Sequence, residues 1–337
     1  MPITMCATLA EPHAPGTDLV FCVPLALAWR KLQDRFGPLR FDPQPFLADA
    51  LNRVPLDEVI DPTWCVSGAG FGAEGILERL RSELHGKFPD ADPRLLPSSL
   101  APDALLAYGY LSRDLRFPTP FALRDVCFQG QYVRAFGIND GPHPDNPARC
   151  AQVIAHDYVS SDEFVIELCA GHTEDRVLIA QIPPCSRLGV TVGAALERLE
   201  RLRPGDRALR SDEELSIPRL QLEVNRRFDE LVHRPLCNQE LQGKTFDEVH
   251  QLVKFKLDEA GARVTAEAVM HGYGVPTPKR YFIVRKPFLL MLIRRSAPIP
   301  YLALWVETTA WMQEQPTPVP PALPTIDPSF WPRPPPR

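Results

Sequence analysis

A glycine-rich stretch at residues 70–75 is the first place where the sequence could do chemistry. Gly70, Gly72 and Gly75 have the G-x-G-x-x-G spacing of loops that hold the pyrophosphate of a dinucleotide. The stretch follows a predicted short strand and precedes a predicted helix, as such a loop requires. However, the sequence has no second strand–helix–strand unit and no acidic residue at the end of a following strand. We therefore expect a flexible turn here, and no bound cofactor.

Two histidine-containing stretches raise the question of a metal or catalytic site. Cys169, His172 and Asp175 lie close together in the sequence, but a metal site needs three or four ligands at recognisable spacings. A polar turn between two strands explains the same residues. His156 and Asp157 are neighbours on a predicted strand, so their side chains point to opposite faces and do not pair with each other. We expect no metal site and no catalytic residue.

The segment 256–287 combines two patterns. Residues 262–268 alternate with period two, which places Ala262, Val264, Ala266 and Ala268 on one face and predicts a strand with a slim inner face. Residues 271–279 contain two glycines and two prolines, the composition of an exposed loop. A strand pattern that continues into a long loop is typical of a segment that adds to a sheet as a new strand. An ordinary edge strand with a loop, or a short helix, explains the same pattern.

Composition limits the class of protein. The net charge is −5 with 37 Lys and Arg residues, so we expect no bulk attraction to nucleic acid or to an acidic membrane surface. No stretch reaches the roughly 20 apolar residues of a membrane-spanning helix. The N-terminus lacks the basic and apolar regions of a secretory signal. We expect a cytoplasmic protein whose 8 cysteines are reduced thiols, most of them buried.

The 38 prolines, about twice the usual share, predict a body rich in strands and loops. We predict an N-terminal arm that is loose at residues 1–18, one α+β domain at 19–312, and a Pro-rich disordered tail at 313–337. The tail is either simply solvated or a ligand of an SH3-type partner. The predicted helices are residues 19–36, 44–51, 76–84 and 190–202. The predicted strands are residues 64–66, 104–111, 131–138, 163–168, 176–182, 215–224, 246–257, 281–284, 288–293 and 301–306.

An ordered set of short motifs resembles the serpin family. Residues 256–261 and the small residues after them look like the proximal hinge of the serpin reactive loop, which reads acidic–acidic–x–Gly. Phe282 and the Lys-Pro-Phe-Leu run at 286–289 look like the strand after that loop. Residues 20–29 resemble the buried second helix of the family, and residues 105–111 with 117–121 resemble the strand that leads to Pro-Phe. Residues 163–168 and 177–183 resemble the hairpin that carries Glu-Leu-Pro-Tyr and Ile-Leu-Pro. Residues 215–223 resemble the strand that reads Ile-Pro-Lys-Phe-x-x-Glu.

The resemblance implies a metastable serpin-like fold, with mixed β-sheets, helices and an exposed reactive-type loop at residues 259–287. In serpins a serine or cysteine protease attacks the loop and forms an acyl-enzyme; the loop then enters the main sheet as a new strand and carries the protease along. Tyr273 lies twelve residues after Gly261, a distance of about 40 Å at about 3.3 Å per residue, enough to cross a domain. The hinge positions that the resemblance implies are Glu259, Gly261, Ala262, Val264, Ala266 and Ala268.

The resemblance also implies a target protease of the chymotrypsin-like or papain-like type. The bond to be cleaved falls among Tyr273, Gly274, Val275 and Pro276. Loop length favours the bond between Val275 and Pro276. The chemistry of protease substrates favours the bond between Tyr273 and Gly274, because a proline after the cleaved bond makes a poor substrate.

The sequence departs from the family at the polar cluster with which serpins control the opening of the main sheet. Where the family has serines in the buried helix, an Asn on one strand and a His on another, this sequence has Val23, Ala26, Gly109 and Gln251. Two hypotheses therefore stay open. The protein is a suicide-substrate inhibitor of a serine or cysteine protease, or it is a non-inhibitory serpin-like scaffold with a ligand-binding, partner-binding or newly acquired enzymatic role. An unrelated α+β enzyme is a third hypothesis; we expect an inhibitor or a scaffold.

Overall fold

The computed structural model describes residues 2–138, 143–169, 174–260 and 279–313. These residues form four β-sheets and five α-helices. The helices are α1 (Pro24–Phe36), α2 (Phe46–Leu51), α3 (Ile76–Lys87), α4 (Asn146–Ala151) and α5 (Leu188–Leu196). The strands are β1 (Ile3–Cys6), β2 (Asp18–Cys22), β3 (Cys65–Phe71), β4 (Leu105–Leu111), β5 (Ala122–Phe128), β6 (Gln131–Ile138), β7 (Val153–Ser160), β8 (Glu163–Leu168), β9 (Asp175–Gln181), β10 (Glu214–Pro218), β11 (Leu220–Arg227), β12 (His250–Leu257), β13 (Tyr281–Ile283), β14 (Phe288–Arg294) and β15 (Leu302–Val306).

A seven-stranded sheet in the order β1-β2-β15-β14-β9-β8-β7 holds most of the core. Its central strands β14 and β15 are continuous apolar runs, as expected of strands that are buried on both faces. All neighbouring strands in this sheet are antiparallel except β1 and β2. It is the largest of the four sheets in the described residues.

The N-terminal residues differ from the prediction. The loose arm expected at residues 1–18 is wrong, because residues 3–6 form β1, which pairs with β2 and buries Met5 and Cys6. The helix predicted from residue 19 begins only at Pro24, and the residues before it form β2. A short, fully buried apolar run has no periodicity that distinguishes a strand from a helix. Pro24 marks the true start, since proline is favoured in the first turn of a helix.

The second sheet has four strands in the order β13-β10-β6-β5. Its strand β13 begins directly after residues 279–280. The single strand predicted at 215–224 is in fact two strands, β10 and β11, which belong to different sheets. The break falls at Pro218 and Arg219, and Arg219 donates its backbone N–H to the carbonyl of Arg134. The chain thus changes sheets within one residue, which an alternating pattern of apolar residues cannot reveal.

The two remaining sheets are the pairs β3–β4 and β11–β12. Helix α1 packs against β3, β4 and β12 on their inner side, and α3 packs against β3. A second, smaller core lies on the outer side of β3 and β4 and is separate from the main core; it consists of Val66, Ile76, Leu80, Leu84 and Tyr108. The prediction that residues 104–111 form a strand is correct, but most of β4 is only half-buried.

Two further expectations can be compared with the described residues. No helix in the described ranges is long and apolar enough to cross a membrane. All eight cysteines have free thiols, but only Cys6, Cys22 and Cys150 are buried, so the expectation that most are buried is wrong. Burial raises the pKa of the Cys150 thiol to about 11, with smaller contributions from Glu213 and Asp212. That thiol is therefore protonated and unreactive near neutral pH.

Candidate functional site

A cleft with a volume of about 520 Å³ lies between β4 and β12. Among the described residues β4 pairs only with β3, and β12 pairs only with β11. Residues 105–109 and 250–252, at the beginnings of the two strands, line the same cleft, so β4 and β12 run in the same direction. The cleft therefore lies between two unpaired strand edges, whose backbone N–H and C=O groups are available to an added strand.

The inner wall of the cleft is helix α1. Leu25, Ala28, Trp29 and Leu32 line it, which makes this wall apolar. Gly109 of β4 packs directly on the helix, because a Cβ at this position would lie 2.2 Å from the carbonyl oxygen of Pro24. Glycine is thus required for β4 to approach α1 this closely.

Gln251 of β12 contributes the buried polar group of the cleft. Its side chain is 2% exposed, and its Nε2 donates a hydrogen bond to the carbonyl oxygen of Cys22 at 2.8 Å. Its Oε1 is buried without a hydrogen-bond partner in the part of the chain that the structure describes. A buried acceptor without a partner costs free energy. An occupant of the cleft that brings an N–H or O–H group to this atom would remove that cost.

The end of β12 is fastened to the rest of the fold by two acidic residues. Arg219 lies 3.2 Å from the carboxylate of Glu259 and 3.9 Å from that of Asp258. The backbone N–H of Phe121 donates to the carbonyl oxygen of Glu259 at 3.2 Å. These contacts fix the point at which the chain leaves β12. Glu259, the predicted hinge residue that the structure describes, is thus held in place at this point.

The electrostatics of the hinge favour the charged carboxylate of Asp258. Partial burial raises its pKa, but the hydrogen bond from Lys256, the N–H of Ala260 and the charges of Lys256 and Arg219 outweigh burial, so the pKa lies below its usual value. Asp258 is thus ionised throughout the neutral range. Its ionic contacts weaken only when acid lowers the pH through this depressed pKa.

Most of the predicted site residues cannot be placed. Glu259 is described, but the other hinge residues predicted above and the four residues of the predicted cleavage region lie within 261–278, outside the described residues. The tail predicted at 313–337 is likewise outside them, apart from Gln313. Beyond the loop, Phe282 is fully buried in β13, which pairs in parallel with β10.

The glycine-rich stretch is a structural turn. Glu74 accepts hydrogen bonds from the backbone N–H of Phe71 and from the guanidinium of Arg35, at 3.1 and 2.6 Å. A carboxylate of the chain itself thus occupies the donors that a phosphate would need. Gly72 is required for packing, since a Cβ there would lie 2.0 Å from the carbonyl oxygen of Ala101.

Of the two histidine-containing stretches, His172 lies outside the described residues, and the contacts of His156 and Asp157 are structural. His156 accepts the backbone N–H of Glu200 at Nδ1, so its Nε2–H donates to the buried carboxylate of Glu167 at 3.0 Å. Asp157 instead faces Arg198 and Arg201, at 3.6 and 3.5 Å. No group of three or more potential metal ligands occurs within the described ranges.

Sequence reasoning missed the polar residues that act over long range. Arg219 was part of a recognised motif, yet its contact with Asp258 and Glu259 depends on the pairing of β11 with β12. Arg113 was not singled out at all; it forms an ion pair with Asp175 of β9 and lies over the ring of Trp64. The only feature in the sequence that marks Arg113 is its position just after the end of a predicted strand, and many arginines occupy such positions.

Comparisons with known proteins identify the fold. The sequence matches no protein-family profile and no curated protein. Three of the similar solved structures are the mouse protein-Z dependent protease inhibitor (TM-score 0.51, 11% identity, 87% of this chain and 91% of that chain), serpin-12 of Manduca sexta (0.51, 11%, 88% and 93%), and native protease nexin-1 with heparin (0.50, 11%, 86% and 92%). The predicted fold is confirmed: this chain has an α+β serpin-like fold.

Proposed function

We propose that the protein inhibits a serine or cysteine protease as a suicide substrate, through the segment 259–287. The cleft between the unpaired edges of β4 and β12 carries this proposal, because the chain leaves the end of β12 at a fixed hinge and the cleft lies along the edge of the same strand, at its beginning. A strand that returns from this hinge runs antiparallel to both β4 and β12. It pairs its backbone with both edges at once.

The lengths of β12 and of the segment after it support insertion. β12 has 8 residues, which corresponds to about 26 Å at about 3.3 Å per residue. Tyr273 lies twelve residues after Gly261, a reach of about 40 Å, so a cut at either candidate bond leaves enough chain to fill the cleft. A cut after Tyr273 gives the shorter inserting segment, and this segment is still long enough to fill the cleft.

The side-chain pattern of the segment also fits the cleft. When inserted, Ala262, Val264, Ala266 and Ala268 face the apolar wall formed by α1, and the polar residues between them face solvent. Small residues suit this wall, because an inserted strand would pack directly on the large apolar side chains that line it, among them Leu25 and Trp29.

The chemistry of trapping follows from this movement. The serine or cysteine of the protease attacks the carbonyl carbon of the cleaved bond; an ester or thioester forms, the peptide C–N bond breaks, and the leaving amine takes a proton from the histidine of the protease. Insertion of the new strand then pulls the acylated protease away from the position in which water would hydrolyse the ester or thioester.

A second candidate function is a scaffold whose cleft stays closed. The close contact of Gly109 with Pro24 and the hydrogen bond from Gln251 to Cys22 favour it, since they hold β4 against the first residue of α1 and β12 against the last residue of β2. In this case the segment is cleaved without inserting.

A covalent complex distinguishes the two functions. We expect a complex that resists SDS when the protein is mixed with a chymotrypsin-like or papain-like protease. It is observed as a band at the mass of the protease plus that of the chain up to the cleaved bond, because SDS releases the part of the chain after that bond. Val264→Arg should abolish the complex and leave simple cleavage, because insertion would bury an unpaired charge against α1. Thr265→Arg is the matched control on the opposite face and should keep the complex. Cleavage by both protease classes without any complex contradicts the proposal.

A further inference from the structure

The outer side of the cleft is crossed by residues 88–98, which we call the strap. The strap leaves α3 and reaches the outer face of β11 and β12 before the chain returns to begin β4. Arg94, Leu95, Leu96 and Pro97 line the cleft from this side, opposite α1. A strand that enters the cleft from the surface must therefore pass the strap.

The attachment of the strap to the β3–β4 side is apolar and partly buried. Phe88 and Leu96 pack against the second core, next to Leu80 and Tyr108. Arg81 of α3 adds hydrogen bonds to the carbonyl oxygens of Pro97 and Ser98, at 2.8 and 2.6 Å. This side has the properties of a permanent attachment.

The attachment to the β11–β12 side is ionic and exposed. Arg94 lies 2.7 Å from both Asp92 and Glu223, and Lys254 lies 3.5 Å from Asp92 and 4.0 Å from Glu223. The four side chains are between 41% and 63% exposed. Glu223 and Lys254 are directly opposite each other in the β11–β12 pair, on its solvent face. We call these four residues the fastener.

We propose that the strap is a gate over the cleft and that the fastener sets how fast it opens, so that ionic strength controls the rate at which a strand enters. This inference rests on the proposed function. Exposed ion pairs are worth little and are screened by salt, whereas buried apolar contacts are not. The strap therefore pivots on its apolar, partly buried side and is released at its ionic, exposed side.

A synthetic peptide with the sequence of residues 261–273 tests the gate. Its incorporation into the full-length protein is followed through a fluorophore on the peptide, at 50 mM and at 500 mM salt. We expect faster incorporation at high salt. Arg94→Gln combined with Lys254→Gln should accelerate incorporation about two- to fivefold at low salt and remove most of the salt dependence. Arg116→Gln is the matched control, since Arg116 forms an equally exposed ion pair with Asp114.

The outcomes separate the gate from the function. Incorporation at one rate in all variants and at all salt concentrations overturns the gate and leaves the inhibitory function intact. No incorporation into any variant overturns both. Hydrogen exchange of the backbone amides at 105–109 and 250–252 gives an independent readout: the double variant should exchange faster at these strand edges than the wild-type protein does. Unchanged exchange there contradicts the gate even if the peptide binds.

Discussion

Replacing Gly109 with alanine should destabilise the protein by about 3 kcal/mol. The added Cβ would lie 2.2 Å from the carbonyl oxygen of Pro24 and 3.2 Å from the backbone nitrogen of Ala28. Both contacts are to the backbone of α1, so neither can be relieved by rotating a side chain. β4 must therefore move away from the helix, which opens the inner wall of the cleft. Urea unfolding measures the loss as a change in the midpoint at constant slope.

Gly193→Ala is the matched control for this substitution. Gly193 lies inside α5, and a Cβ there would meet nothing within 4 Å. Alanine should therefore stabilise the protein by about 0.5–1 kcal/mol through its better helix propensity. If the two variants have the same stability, β4 does not rest on α1 as described.

Replacing Arg113 with methionine should destabilise the protein by about 3–5 kcal/mol. Arg113 follows the end of β4, and its Nε donates to the carboxylate of Asp175 in β9 at 2.8 Å. The side chain of Asp175 is 0% exposed and that of Arg113 is 14% exposed. Loss of the guanidinium leaves a charge in the core without its partner, at the junction between the β3–β4 pair and the seven-stranded sheet. Urea unfolding again gives the change in free energy.

The double variant Arg113→Met with Asp175→Leu shows whether the uncompensated charge is the cause. Replacing both partners of a buried ion pair with apolar residues is often close to neutral, so most of the lost stability should return. Arg116→Met provides the exposed comparison and should cost less than about 1 kcal/mol. A double variant that is as unstable as Arg113→Met alone would show that packing over Trp64, where the guanidinium lies 3.9 Å from the ring, dominates instead.

The sequence was sufficient for elements whose residues are uniform in character. The apolar runs that form β14 and β15 predict buried strands directly, and both are confirmed. The sequence predicts a helix where β2 lies, because the buried apolar run of β2 is too short to show the periodicity that distinguishes a strand from a helix. β5 was missed, since polar and charged residues such as Arg124 and Asp125 interrupt it. Its identity as a strand depends on pairing with β6, which is a tertiary effect.

The candidate site was predictable only in its local part. The acidic hinge before Gly261 is contiguous in sequence, so its motif was visible. The cleft is assembled from α1, β4 and β12, which are far apart along the chain. The contact of Gly109 with Pro24 and that of Arg94 with Glu223 depend on this assembly. No spacing rule connects such residues, and the glycine at 109 stood out only against the family pattern.

The most direct test of the central claim is the melting temperature before and after a single cut within residues 268–280. If the cleft accepts the segment that follows β12, the cut protein gains a strand paired on two sides. We then expect a rise of more than about 10 °C, since each added hydrogen bond contributes about 1 kcal/mol. Val264→Arg cut at the same place should show no rise. A wild-type protein that melts at the same temperature before and after cleavage would contradict the account and favour the closed scaffold.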